Sequence, residues 1–197
     1  MLESERPGDP CVLVIFGAAG DLTKRKLIPS LYNLRRHGLL PKEFAVIGVA
    51  RKEMSDDAFR DEMSGQIKKF ATADVDQKLW DEFRPTLYYM QGQFTEAATY
   101  QKLAERLKTV DQTHGCHGNY LFYLSTPPDF FGEIVKGLGA AGLVKEVGAR
   151  WRRVIVEKPF GKDLESARAL NAEITAVLRE RQIYRSDHYL GKEPVQN

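Results

Sequence analysis

At 197 residues, 43% hydrophobic and 28% charged, the chain can bury one sizeable core, and its length allows one domain or at most two. Its 29 basic and 27 acidic side chains nearly cancel, which argues against a nucleic-acid or polyanion binder and makes any anion site local. Two cysteines, Cys11 and Cys116, are too few for a disulfide scaffold, and no apolar run approaches the roughly 18 residues of a membrane span, so the cytoplasm is the expected compartment.

Met1 to Pro10 is polar and acidic with no apolar signal region, and reads as a flexible leader to a domain spanning residues 11–197. Cys11 to Phe16 is a short apolar run ended by Gly17 and predicts a buried strand. Leu22, Leu27, Leu31 and Leu34 then recur at helical spacing from Asp21 to His37, with Gly38 as a stop and Pro29 predicting a kink or break. A second strand covers Phe44 to Val49. Ser55 is a candidate N-cap for a helix reaching about Phe70, with Asp56 and Asp57 in its first turn and Phe59, Met63 and Ile67 on one face. Further strands are predicted at Thr86 to Met90, Tyr120 to Leu124, Arg153 to Val156 and Ile183 to Ser186. Helices are predicted at Glu96 to Val110, Phe130 to Gly142 and, capped by Asp163, to about Glu180. Such alternation predicts an α/β, Rossmann-like doubly wound fold: a mostly parallel sheet with helices on both faces and ligands outside the carboxyl ends of the strands.

Four motifs fall at such ends. Gly17-Ala18-Ala19-Gly20-Asp21-Leu22 joins the first strand to the first helix, where small residues let backbone N–H groups approach a pyrophosphate. The spacing is G-x-x-G, and a tight turn needs glycine for steric reasons in many proteins that bind nothing. The second strand ends in Ala50-Arg51-Lys52, with a base where an NAD site carries an acid, and so suits the 2′-phosphate of NADP; a solvated strand end is the plain alternative. Lys24, Arg25 and Lys26 either reinforce that site or face water. Glu157-Lys158-Pro159-Phe160-Gly161 is either a substrate-facing turn with Lys158 as donor or a simple strand end with an ordinary trans proline. Asp187 and His188 leave the last strand with Lys192 one helical turn on, either to hold a phosphate or to cap a helix. His114-Gly115-Cys116-His117 has ligands too close together for a structural zinc site and reads as a solvated loop, and Trp80 and Trp151 read as packing residues.

In this order the motifs resemble those of glucose-6-phosphate dehydrogenases. The family pattern G-A-S-G-D-L-[AT]-K-[KR]-K is matched by Gly17 to Lys26, E-K-P-F-G by Glu157 to Gly161, and R-I-D-H-Y-L-G-K-E by Arg185 to Glu193. The resemblance runs from Cys11 to Asn197 but covers only the coenzyme-binding half of a family member. It implies NADP as cofactor, held by Gly17, Ala18, Ala19, Gly20, Asp21 and Leu22 around the pyrophosphate and by Arg51 at the 2′-phosphate. It implies glucose 6-phosphate as substrate, with Lys158 between cofactor and sugar, a cis Pro159, and His188, Tyr189 and Lys192 on the sugar phosphate. Asp187 would orient a catalytic histidine that lies in a second domain this sequence does not contain. This half is therefore expected to be inactive alone, and the competing expectation is a non-catalytic dinucleotide-binding module or regulatory subunit. The resemblance also implies no metal, homo-oligomers for full-length members, and self-association of this half through an uncovered apolar patch. Ala19 replaces the family's usual serine, and Phe131 replaces a tyrosine with loss of a cofactor hydrogen bond.

Overall fold

The structure, a computed structural model, describes residues 6–71 and 74–186. Its centre is a pair of strands, β1 (Cys11–Phe16) and β2 (Phe44–Ala50), buried at every residue, as their continuous apolar runs require of strands covered on both faces. With β3 (Leu87–Gln91), β4 (Tyr120–Leu124), β5 (Arg152–Glu157) and β6 (Ile183–Ser186) they form a six-stranded sheet in the order β3-β2-β1-β4-β5-β6. Every pairing between these strands is parallel, where the sequence predicts a mostly parallel sheet.

Parallel neighbours need crossovers of one hand, so the direction of travel along the sheet decides which face each helix covers. The chain moves outward from β1 to β3 through α1 (Ile28–Arg36), α2 (Asp56–Phe70) and α3 (Gln77–Phe83). These cover the face bearing Cys11, Leu13 and Ile15, against which Tyr32, Phe59, Met63 and Trp80 pack. It then returns past β1 through α4 (Ala97–His114) and moves the other way through α5 (Phe131–Ala140) and α6 (Leu164–Thr175). Those helices cover the opposite face, where Val12, Val14 and Phe16 meet Leu103, Leu107, Ile134 and Ile174. Each fully buried side chain of this size stabilises the fold by about 1.5–3 kcal/mol. The strand order reverses between β1 and β4, and in doubly wound sheets the ligand crevice lies outside the carboxyl ends of the strands at such a switch point.

Local signals explain the helix starts. Ser55 Oγ accepts from the Ala58 N–H at 3.1 Å, and Asp163 forms a reciprocal capping box with Ser166. Pro29 does not break the first helix. A π turn over Thr23–Leu27, closed by the Ile28 N–H on the Thr23 carbonyl, runs directly into α1 and seats the proline in its first turn. The short α3 has no counterpart in the predicted elements: it offers one turn of pattern, yet Asp76 caps it and it buries Trp80 and Phe83. The predicted helix to Glu180 ends at Thr175, whose hydroxyl donates back to the Asn171 carbonyl at 2.8 Å while Leu178 turns into the core.

The segment 114–117 is a solvated loop only in part: Gly115 and His117 are exposed, but His114 closes α4. Cys116 is fully buried and His114 Nε2 lies 2.8 Å from the Tyr88 hydroxyl. Trp80 is a packing residue, 1% exposed, whereas Trp151 is half-buried, donating to Asp9 at 3.2 Å with Arg153 over its ring. Phe131 is wholly buried in the core, so the tyrosine it replaces would face packing rather than the crevice. Beyond β4, one face of the sheet is thinly covered: Arg153 and Ile155 are half-buried and Tyr184 is 47% exposed. Among the described residues no helix is long and apolar enough to cross a membrane.

Burial pushes both thiols, Cys11 and Cys116, up to about 12. At pH 8 about one thiol in ten thousand is then ionised. Iodoacetamide at that pH is expected to label neither cysteine in the native chain and both in denaturant, as counted by intact-mass spectrometry. Native labelling at the denatured rate would refute the packing described for these two side chains.

Candidate functional site

The turn after β1 is built around one glycine. Gly17 has φ +88°, and a Cβ there would lie 2.1 Å from the Ser125 carbonyl oxygen, so only glycine lets this turn pass so close to the end of β4. The Gly17 and Ala18 N–H groups donate to the Val49 carbonyl at 2.8 and 3.3 Å, and the Gly20 N–H donates to Gly17 at 2.9 Å. Ala18 is fully buried against Gly48, and Thr23, also buried, donates its hydroxyl to Gly17 at 3.5 Å. These contacts fix the turn and leave the first helical turn, Asp21 and Leu22, to present its N–H groups and the positive end of the helix dipole to an anion. Ala19 is half-buried and Gly20 and Asp21 are exposed, so the outer side of the turn is open to a ligand.

At the end of β2, Arg51 and Lys52 are both exposed, and neither makes an ion pair among the described residues. Of the basic residues of the first helix, Lys24 pairs with Glu62 at 2.6 Å and Arg25 lies 3.8 Å from Asp21 and over the Phe70 ring, whereas Lys26 is exposed and makes no ion pair among the described residues. Arg51 and Lys52 are therefore cations open to a ligand at the end of β2.

On the other side of the crevice, β4 is followed by Ser125 and Thr126, whose hydroxyl oxygens are buried with no hydrogen-bond partner among the described residues. An orphaned polar group of that kind is destabilising by about 1–3 kcal/mol, and its persistence marks a place where polar ligand atoms or ordered water belong. Sequence reasoning missed this pair; a polar dipeptide between a strand and Pro127-Pro128 was the available signal. At the end of β5, Glu157 is 6% exposed and accepts from the Tyr123 hydroxyl. Burial and that carboxylate together push the Tyr123 phenol up, so it stays a donor at neutral pH. Lys158 follows, exposed, with a cis bond to Pro159, as the family resemblance implies and in contrast to the trans alternative. Glu157 is in register with Ser186, so the chain leaves β6 beside Lys158. Asp187, His188, Tyr189 and Lys192 lie outside the described residues.

A cavity of about 600 Å³ lies at the opposite end of the molecule, where Lys145 and Arg179 flank the C-terminal ends of α5 and α6. Cations placed there complement two helix dipoles and need no ligand to explain them.

From residue 14 to residue 197 the sequence matches the family model for glucose-6-phosphate dehydrogenase, NAD binding domain. The chain belongs to the glucose-6-phosphate dehydrogenase family. It is 46% identical over 199 residues to the glucose-6-phosphate 1-dehydrogenase of Chlamydia pneumoniae, a match that takes in 100% of this chain and 39% of the relative. With that of Aggregatibacter actinomycetemcomitans it shares 49% identity over 95% of this chain and 37% of the relative. Among solved structures, a glucose-6-phosphate dehydrogenase in complex with its substrate glucose-6-phosphate superposes with a TM-score of 0.84 at 32% identity, over 98% of this chain and 39% of that one. The enzyme of Mycobacterium avium gives 0.80 at 40% identity, over 96% of this chain and 38% of that one. The chain thus spans about two fifths of the family members it matches.

Proposed function

We propose that this chain is the NADP⁺-binding part of a glucose-6-phosphate dehydrogenase, the enzyme that oxidises D-glucose 6-phosphate to 6-phosphogluconolactone. The observation that carries the cofactor choice is the end of β2, where Arg51 and Lys52 stand exposed without ion pairs among the described residues. An NAD site carries an acid at this place, to bind the ribose 2′-hydroxyl. The residues present fit the group: an anion-facing helix start at Asp21 and Leu22, two available cations, and the orphaned hydroxyls of Ser125 and Thr126.

Bound NADP⁺ supplies the hydride acceptor. Gly17 to Leu22 hold the pyrophosphate, and the planar fork of Arg51 takes the 2′-phosphate with Lys52 as a second charge. Lys158 reaches from the end of β5 toward the sugar. His188, Tyr189 and Lys192 take the substrate phosphate, and Asp187 orients a proton-accepting histidine supplied by the part of the longer relatives that lies beyond this chain. The protein works in the cytoplasm on small molecules, with no nucleic acid or membrane partner. It associates with itself through the thinly covered face around Ile155 and Tyr184.

Calorimetric titration with NADP⁺ and with NAD⁺, each followed by glucose 6-phosphate, tests the reading. Saturable binding is expected, at least about tenfold tighter for NADP⁺, the difference a single charge-assisted contact makes. Turnover should not exceed a trace, because the proton acceptor lies elsewhere. Equal affinity for the two nucleotides, or none for either, would overturn the cofactor assignment. Measurable turnover would overturn the division of roles between the two parts.

A further inference from the structure

We infer that Tyr89 and Gln91, at the end of edge strand β3, are positioning residues that set the preference for a 2′-phosphorylated dinucleotide by anchoring the Arg51-Lys52 backbone. The inference rests on the cofactor reading above and adds residues that make no contact with the nucleotide in it.

The pairing of β2 with β3 closes at Ala50 and Gln91, and the Gly92 N–H extends it by one bond to the Ala50 carbonyl at 3.0 Å. Past that point a strand-end loop ordinarily offers its carbonyls to water. Here two successive carbonyls are held by side chains of one strand. Gln91 Nε2 donates to the Arg51 carbonyl at 3.2 Å, and the Tyr89 hydroxyl donates to the Lys52 carbonyl at 2.5 Å.

Tyr89 is itself locked. It is 5% exposed, its ring lies 5.3 Å from that of Phe59, and its N–H donates to Asp56 Oδ1 at 2.7 Å. Asp56 opens α2 and is paired with Arg106 on α4, which balances its charge close to the loop. The anchor therefore joins β3, α2 and α4 to two residues whose side chains stay exposed.

Two physical consequences follow. Carbonyl oxygens tied toward β3 cannot turn toward an incoming phosphate, where they would repel it. A guanidinium on a held backbone also loses less freedom when it forms two parallel bonds to phosphate, so more of the contact's strength appears as affinity. Both effects act on the 2′-phosphate alone. NAD⁺, which lacks that group, gains nothing from the anchor.

The test titrates NADP⁺ and NAD⁺ into Tyr89→Phe, Gln91→Ala and the double variant, with Arg51→Ala in parallel and thermal melts on each. Each single variant is expected to weaken NADP⁺ about three- to tenfold, the equivalent of one net hydrogen bond, with NAD⁺ unchanged within about twofold. Gln91 is exposed, so its replacement keeps the test valid if loss of the Tyr89 hydroxyl disturbs folding. A parallel fall in both affinities assigns the anchor a purely structural role and overturns the inference. An unchanged NADP⁺ to NAD⁺ ratio in these variants, with the ratio collapsed in Arg51→Ala, overturns the inference and leaves the cofactor reading intact. A ratio unchanged even in Arg51→Ala, or no binding by the unsubstituted chain, removes both.

Discussion

Gly17→Ala is expected to destabilise the chain by about 4 kcal/mol or more and to abolish nucleotide binding. Two penalties add. The backbone at φ +88° lies in the left-handed region, which is unfavourable to any residue with a Cβ by about 1–2 kcal/mol. The new Cβ would also lie 2.1 Å from a main-chain oxygen, that of Ser125, and a main-chain atom cannot rotate away as a side-chain tip can. Relief requires moving the ends of β1 and β4 apart, which breaks the Ser125 N–H bond to the Phe16 carbonyl at 2.9 Å and opens the floor of the crevice. Gly20→Ala is the matched control. A Cβ there meets only the Gly17 carbonyl, at 3.1 Å, and the backbone is not left-handed, so the expected change is within about 1 kcal/mol. Urea unfolding of the two variants separates them; equal midpoints would show that the turn does not have the close approach described here.

The sheet was legible because its evidence is local. Val12, Leu13, Val14 and Ile15 announce a strand buried on both faces, and Ser55 and Asp163 announce helix starts through hydrogen bonds that reach three residues forward. The signals that failed are of another kind. Gln77 to Phe83 forms a helix because Trp80 and Phe83 have a cavity to fill beside Tyr32, a fact about residues more than 40 positions away.

The candidate site divides in the same way. Gly17 to Leu22, Arg51 and Lys158 could be named from their positions after predicted strands, since a parallel sheet brings all such ends to one edge. The Tyr123 contact with Glu157 and the Tyr89 contact with Lys52 join residues 34 and 37 positions apart, and depend on strand register that no pattern in the sequence reports. Ser125 and Thr126 stand out only once each neighbouring atom is placed and none is found to pair with their hydroxyls.

Arg51→Asp is expected to reverse the nucleotide preference, lowering NADP⁺ affinity by more than about a hundredfold while leaving NAD⁺ unchanged or improved. Removing the guanidinium alone forfeits a charge-assisted pair of bonds, about 1.5–3 kcal/mol or roughly ten- to a hundredfold, and this is the expectation for Arg51→Ala. Introducing a carboxylate adds repulsion. At about 5 Å and the effective dielectric of a protein surface, each pair of like charges repels by about 3 kcal/mol, and a 2′-phosphate carries more than one charge. Lys52, exposed beside it and without an ion pair among the described residues, recovers part of that loss, so Arg51→Asp combined with Lys52→Ala should fall further than either change alone. Because both cations are open to solvent, their contribution is screened over a Debye length of about 8 Å at physiological salt. NADP⁺ binding by the unsubstituted chain should therefore weaken as salt is raised from 0.05 to 0.5 M, as about an order-of-magnitude change in ionic strength demands, and Arg51→Ala should flatten that dependence. If Arg51→Asp keeps both the preference and the salt slope, the 2′-phosphate is held elsewhere, and the end of β2 is a solvated strand end.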